Sequence, residues 1–244
     1  MDYKKIITIP TWKRPEYTGQ VLEGMKRCYG IEDYTIYIFA EPEYPEVIDV
    51  IESFTDLNIV LSINEKRLGL PGNTRQCLDK GFSMTDYLIH FEDDIVPSKD
   101  CLKYFEWARD KYVDDKNIFS ISGLHRTHNF KNKDDLYHAV IRIDGFIPTG
   151  WAMWQDRWKE TKLNWEETKT SWSLSAHNAR KRSCVLIPYL SRTKYIGIEN
   201  TTNCTPEFHK EHHCNEFWVD SVDFDDNTNE YHEIPYITGD KNEL

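Results

Sequence analysis

"LIHFEDDIVPSKD", residues 88–100, sets an apolar run against three consecutive acids. Tyr87–Phe91 reads as a buried strand, Glu92, Asp93 and Asp94 follow at once, and Ile95, Val96 and Pro97 carry the chain away. Adjacent carboxylates repel one another, so the arrangement is costly unless something positive sits beside it. Acids near a helix start are also stabilised by its dipole, so the stretch suits the cap of a following helix as well.

The chain around this stretch alternates strand and helix. "KKIITIPTW" reads as a buried first strand, and "RPEYTGQVLEGMKRCYG" as a helix with Val21, Leu22 and Met25 on one face, ending at Gly30. "YTIYIFAEP" is a second strand, and "PEVIDVIESF" a helix with Val47, Ile48, Ile51 and Phe54 aligned. "LNIVLSIN" is a third strand. "RLGLPGNTRQCLDKGFSM" is a Gly/Pro loop running into a helix from about Asn73. After the fourth strand, "DYLIHFEDD", comes a helix capped by Ser98, with Leu102, Phe105 and Trp107 among its apolar positions, and then a fifth strand, "IFSISG". This alternation predicts an α/β fold, a mainly parallel sheet covered by helices. In such open sheets ligands bind beyond the carboxyl ends of the strands, which is where the three acids fall.

After Gly123 the pattern changes to "GFIPTGWAMW", a Trp-rich stretch to Trp172, "SCVLIPYLSRTKYIGI", and a polar His- and Asp-rich end. No repeat or linker divides the chain, so residues 1–244 read as a single domain. A formal charge of −11 argues against non-specific nucleic-acid binding, which needs a basic face. Eight Trp and fourteen Tyr are many for 244 residues and suit stacking on sugars or bases as well as a core. "MDYKKIITIP" is no signal peptide, and no segment has the length to span a bilayer. The six scattered cysteines lack a CxxC pair and read as reduced thiols, so a cytoplasmic protein is expected. The sequons at Asn200 and Asn203 and the terminal "KNEL" carry little weight without an entry signal.

Mg²⁺ and Mn²⁺ prefer carboxylate oxygen and keep positions open for water and phosphate. A short acidic motif after a buried strand can therefore hold such an ion against a diphosphate, in several kinds of enzyme. Taken in order, "TWKRPEY", "FAEP", "NEKRLGLPGNTRQCLDKGF" and "FEDDIVPSKDCLKYFEWA" resemble nucleotide-sugar glycosyltransferases of the Rossmann-like GT-A fold. With "IPTGWAMW", "TSWSLS" and "YLSRTKYIG" downstream, the match is closer to the N-acetylglucosaminyltransferase I-like branch and runs from about Ile6 to Gly197.

The resemblance implies a nucleotide-binding half at 1–123, and an acceptor-binding half with the C-terminal segment at 124–244. It implies Mn²⁺ or Mg²⁺ on Asp94, Glu92 facing the donor sugar and Asp93 near the ribose. Pro10, Thr11 and Arg14, around the turn after the first strand, match nucleotide contacts; Glu41 matches an acid that accepts a hydrogen bond from uracil, and Arg75 a basic or polar contact. Thr149, Gly150 and Trp151 match the loop shaping the sugar and acceptor pocket, Gly150 letting backbone approach the ligand. The implied partners are a nucleotide diphosphate sugar, UDP-linked, and a glycan or glycoconjugate acceptor.

One position departs from the pattern. Inverting transfer needs a base for the acceptor hydroxyl. The family supplies it from the acid after Trp in a "W-D" segment, and alignment on Trp172 puts Ser173 there. Glu166 in "NWEE" and Asp144 are the substitute candidates. A late histidine is expected in the metal shell, His209 ahead of His212 and His213. Three alternatives stay open beside metal-dependent inverting transfer: retaining transfer, a catalytically degenerate sugar-binding protein on the same fold, and a Mg²⁺-dependent phosphohydrolase or nucleotidyltransferase.

Overall fold

The structure is a computed structural model that describes residues 3–125, 136–163, 172–180, 183–198, 207, 218–220 and 231–235. The expected alternation is present: β1 (Ile6–Thr11), α1 (Pro15–Lys26), β2 (Thr35–Ala40), α2 (Pro45–Ser53), β3 (Ile59–Ile63), α3 (Gly69–Phe82) and β4 (Tyr87–His90). Pro15 and Pro45 open their helices at a position where the missing N–H costs no bond. β1 is buried along its whole length because helices cover both faces of a parallel sheet.

β5 (Ile95–Pro97), α4 (Cys101–Tyr112) and β6 (Ile118–Ser122) come next, followed by β7 (Ala139–Asp144), β8 (Trp151–Trp154), α5 (Gln155–Leu163), α6 (Trp172–Ala179), β9 (Cys184–Pro188), β10 (Thr193–Tyr195) and β11 (His232–Glu233). Among the described residues the main sheet runs β11-β7-β9-β6-β8-β4-β1-β2-β3. β1 pairs in parallel with both β2 and β4, and β2 with β3. β8 enters antiparallel between β4 and β6, with Tyr87 opposite Trp154 and Ser122 opposite Trp151. The sheet is therefore mixed but mainly parallel, with the Trp-rich segment wedged into its centre.

Three local expectations change. α3 begins at Gly69, not near Asn73. Ser98 does not cap α4: its hydroxyl donates to the Asp100 carboxylate at 2.7 Å, and Asp100 is the residue before the helix. Ile95–Pro97 is a short strand, paired antiparallel with β10, which brings the "SRTKYIG" segment back over the acids. No helix among the described residues is long and apolar enough to cross a membrane.

Candidate functional site

β2 lies on one side of β1 and β4 on the other, so the direction of strand addition reverses at β1. The parted loops at the carboxyl ends leave a crevice there. A cleft of about 310 Å³ occupies it, walled by Pro10, Thr11 and Trp12 from β1, Glu41 after β2, Asn73 from α3, and Asp93. That volume is at the lower end of small-ligand sites.

The acids leave β4 in a tight turn. The Phe91 N–H donates to Thr8 O at 3.0 Å, and the Ile95 N–H to Glu92 O at 3.2 Å. The positive group beside them is Arg14, the residue before α1. Its Nη2 pairs with Asp93 Oδ1, and its Nη1 with Asp94 Oδ2 at 2.8 Å. One planar guanidinium thus spans two carboxylates with charge-assisted bonds. Asp94 is held further by the segment that returns over it. The Ile196 N–H donates to Asp94 O at 2.9 Å, and a Cβ on Gly197 would lie 2.2 Å from Asp94 Oδ2. Only glycine lets backbone come that close.

Glu92 is bound differently: the Trp172 side chain hydrogen-bonds to it. Burial, then repulsion from Asp94 and Asp93, pushes the Glu92 carboxyl up to about 8. Burial raises Asp94 to about 6, against the pull of Arg14. Such displaced carboxyls are common at functional sites, because the charges gathered there need an outside partner.

Asp93 at the wall of the cleft and Asp94 beside it offer hard carboxylate oxygens, the donor type that fits a divalent ion held by one or two side chains with its other positions left to water and phosphate. Among the described residues no group of three or more His, Cys, Asp or Glu side chains is arranged to enclose an ion. Asp94 is the side chain that would hold it. His209 and Glu166 lie outside the described residues, as do His212 and His213.

Other expected contacts are used up inside the protein. Glu41 accepts the N–H of Leu68 at 3.0 Å, of Gly69 at 2.7 Å, and Asn64 Nδ2 at 3.1 Å. Its carboxylate caps the start of α3, so a base would have to share oxygens already in use. Arg75 pairs with Asp79 at 3.1 Å and lies over Trp158, on a side of α3 that does not wall the cleft. Gly150 has φ +61, and a Cβ there would strike Thr193 at 2.6 Å and Phe91 at 3.0 Å. Its role is close packing within the protein, not approach to a ligand.

Asp144 corrects the sequence reading. It ends β7 opposite Cys184, the first residue of β9. β9 runs parallel to β6, and both run with β4. Asp144 therefore lies at the opposite edge of the sheet from the acids, paired with Arg180 at 2.6 Å, and is no base for this site. Ser173, by contrast, is beside the site, since Trp172 precedes it in α6.

Trp12 and His90 were not expected at the site; Trp151 was. Trp12 forms the rim of the cleft; its indole N–H donates to Glu43 at 2.7 Å, and Arg67 and Lys13 lie 4.1 and 4.5 Å from its ring. Trp151 and Trp172 stack at 6.0 Å, with His90 against both rings. His90 Nδ1 meets Thr8 Oγ1 at 3.0 Å, and burial pushes the ring down to about 3, so it is neutral. The density of tryptophan and the "IPTGWAMW" segment were the signals in the sequence that pointed to this aromatic wall.

No protein-family model matches the chain. No curated protein matches it either. Solved structures do. The chain is similar to TarS 1-349 of S. aureus in complex with UDP-GlcNAc, at 14% identity and a TM-score of 0.60, over 85% of this chain and 64% of that one. It is also similar to S. aureus TarS 1-349 alone, at 13% identity and 0.54, over 76% and 60%. A third is the mannosyltransferase PcManGT of Pyrobaculum calidifontis in complex with GDP-Man and Mn²⁺, at 13% identity and 0.50, over 79% and 58%. The chain thus spans about 60% of the length of these neighbours. At this identity the likeness is one of fold, and it establishes the GT-A fold expected from the ordered motifs.

Proposed function

We propose that this chain is a glycosyltransferase that moves a sugar from a nucleotide diphosphate donor, UDP-linked, to a hydroxyl of a glycan or glycoconjugate, with inversion. The observation that carries the reading is the acid cluster after β4, whose Asp93 lines the cleft beyond the carboxyl ends of β1 and β4. A neighbour's structure holds UDP-GlcNAc and another GDP-Man with Mn²⁺, which supports a nucleotide-sugar donor for this fold. The ordered motifs support the N-acetylglucosaminyltransferase I-like branch, a hexosyl or N-acetylhexosaminyl donor, and one domain over 1–244. The unbridged cysteines 28, 77, 101 and 184 suit a cytoplasmic setting.

Breaking the anomeric C–O bond builds negative charge on the leaving diphosphate. A divalent ion bound at Asp94 would neutralise that charge. The protein's own part is to orient the donor: Pro10, Thr11 and Trp12 wall the nucleotide, Asp93 faces its ribose, and Glu92, tied to Trp172, faces the sugar. Lys13 and Arg67 are the cations that line the cleft, and Arg14 sits on the acids beside it. Glu166 is the proposed base.

The test is release of nucleoside diphosphate from a panel of UDP- and GDP-sugars with Mn²⁺ or Mg²⁺. At least one donor should turn over, and Asp94→Ala should abolish it. Absence of binding and turnover with every donor and ion, with Asp94→Ala indistinguishable from wild type, removes the proposal. Ser173 in the base position favours a second reading, a donor-binding protein without transfer. Tight UDP-sugar binding with no turnover would select that reading.

A further inference from the structure

The pairing of Arg14 with the acids has a consequence for how the site loads. The guanidinium uses Nη1 and Nη2 on Asp94 and Asp93, and Tyr17, whose ring lies 5.4 Å from its Cζ, is its other contact. The side chain is 18% exposed, while those of Asp93 and Asp94 are 8% and 6% exposed. Arg14 therefore sits on the solvent side of the pair. It leaves its Cα from the position before α1, where backbone Arg14 O keeps the Thr18 N–H at 3.0 Å. Moving the side chain breaks two ion pairs and the contact with the Tyr17 ring, but no helix hydrogen bond. Asp94 has no equivalent freedom, because Gly197 presses on Oδ2 and Ile196 holds its backbone. An ion that reaches Asp94 meets a fixed carboxylate and a movable cation.

We propose that Arg14 is an exchangeable internal counter-ion: it holds Asp93 and Asp94 before donor binds, competes with a divalent ion for Asp94, and turns to the donor's diphosphate once the ion has displaced it. The first half needs only the acids and the arginine; the second rests on the donor reading above. A divalent ion and the guanidinium repel one another when both lie on the Asp94 carboxylate, so each weakens the other's hold and the two compete. The released fork has the geometry to bind phosphate oxygens in pairs. Binding of ion alone is then weak, and ion and diphosphate bind tightly only together.

The experiment is Mn²⁺ binding to the purified full chain, followed by the electron paramagnetic resonance signal of free Mn²⁺, with and without UDP. Without UDP, Arg14→Gln should bind Mn²⁺ about tenfold or more tighter than wild type, the range set by removing a charge-assisted competitor. Arg14→Lys, which offers a point charge in place of a fork, should fall between them, and Asp94→Asn should lose the site. With saturating Mn²⁺, the order should reverse, and Arg14→Gln should hold UDP about tenfold more weakly than wild type. Circular dichroism checks that each variant is folded; if Arg14→Gln does not fold, Arg14→Lys decides. Mn²⁺ affinity equal to or below wild type in the folded variants overturns the proposal, as does absence of Mn²⁺ binding in all of them. No readout involves a sugar, so failure of the transfer reading is separable: it appears as no donor turnover with the Mn²⁺ ordering intact.

Discussion

Glu92→Gln should stabilise the protein, increasingly so as pH rises. In the folded chain the Glu92 carboxyl is pushed from 4.5 to about 8 by burial and by the neighbouring acids. A raised value means the folded state holds the proton more tightly than the unfolded state does. That stability is fully present below 4.5 and is lost as pH climbs through about 8. Glutamine stays neutral and keeps a carbonyl oxygen for the Trp172 contact, so it removes the loss without removing the bond. Each pH unit above 4.5 is worth at most about 1.4 kcal/mol, giving a ceiling of about 3 kcal/mol at pH 7. Asp94 shares the same repulsion and is itself raised to about 6, so the gain expected at pH 7 is ~1–2 kcal/mol. Urea unfolding in a chelating buffer at pH 5, 6, 7 and 8 measures it, and the melting temperature should rise by roughly 2–4 °C per kcal/mol for a chain of this size. A difference between variant and wild type that does not change with pH, or that shrinks from pH 5 to 8, would refute the account of Glu92 as a carboxyl held neutral by its surroundings.

Gly197→Ala forces a Cβ to within 2.2 Å of Asp94 Oδ2 and 2.9 Å of the Tyr195 hydroxyl; a stability loss of roughly 1–3 kcal/mol in urea, with weaker Mn²⁺ binding, is expected. Arg192 is fully buried, bonds Asp100 at 2.7 Å and donates to the carbonyls of Leu190 and Tyr137, so Arg192→Leu strands a buried carboxylate at a cost of about 3–5 kcal/mol. Replacing Asp100 by Asn in that background should recover part of it. Asp144→Asn should leave donor turnover within about twofold of wild type, because it touches only an exposed ion pair far from the cleft; a large loss would restore it as a base candidate.

The Rossmann-like half was legible because its signals are local. Uniformly apolar strands, helical spacing in Val21–Met25 and Val47–Ile51, and acids at a strand end all lie within short windows. The insertion of β8 was not legible. "WAMW" is too short to show a period, and its partners lie some sixty residues earlier and thirty earlier, in β4 and β6. The start of α3 was misjudged because Pro71 and Gly72 read as a loop. Pro71 falls in the first turn of the helix, where its missing N–H is one of those with no partner in any case. Glu41 shows the same limit for a site residue. Its position after β2 was evident, but the N–H groups of Leu68 and Gly69, twenty-seven and twenty-eight residues on, cannot be paired with it by pattern. The "TWKRPEY" segment puts Arg14 near the nucleotide, without any sign that it faces the acids themselves.

That last pairing changes what the acidic stretch can be taken to mean. Three adjacent acids after a buried strand were read as a demand for an external ion. The fold meets part of that demand from within, by Arg14 on Asp93 and Asp94, and part by keeping Glu92 protonated near neutral pH. The helix-cap alternative accounts for neither, since α4 begins only at Cys101 and its preceding residue is Asp100, not one of the three acids. A purely structural cluster would have no reason to leave its counter-ion more exposed than the acids it serves, when the same chain buries Arg192 fully and gives it four contacts besides Asp100. The contrast between the two arginines, one fully buried among its own anchors and one held chiefly by the acids, is the physical ground for proposing that Asp93 and Asp94 exchange their positive partner during use.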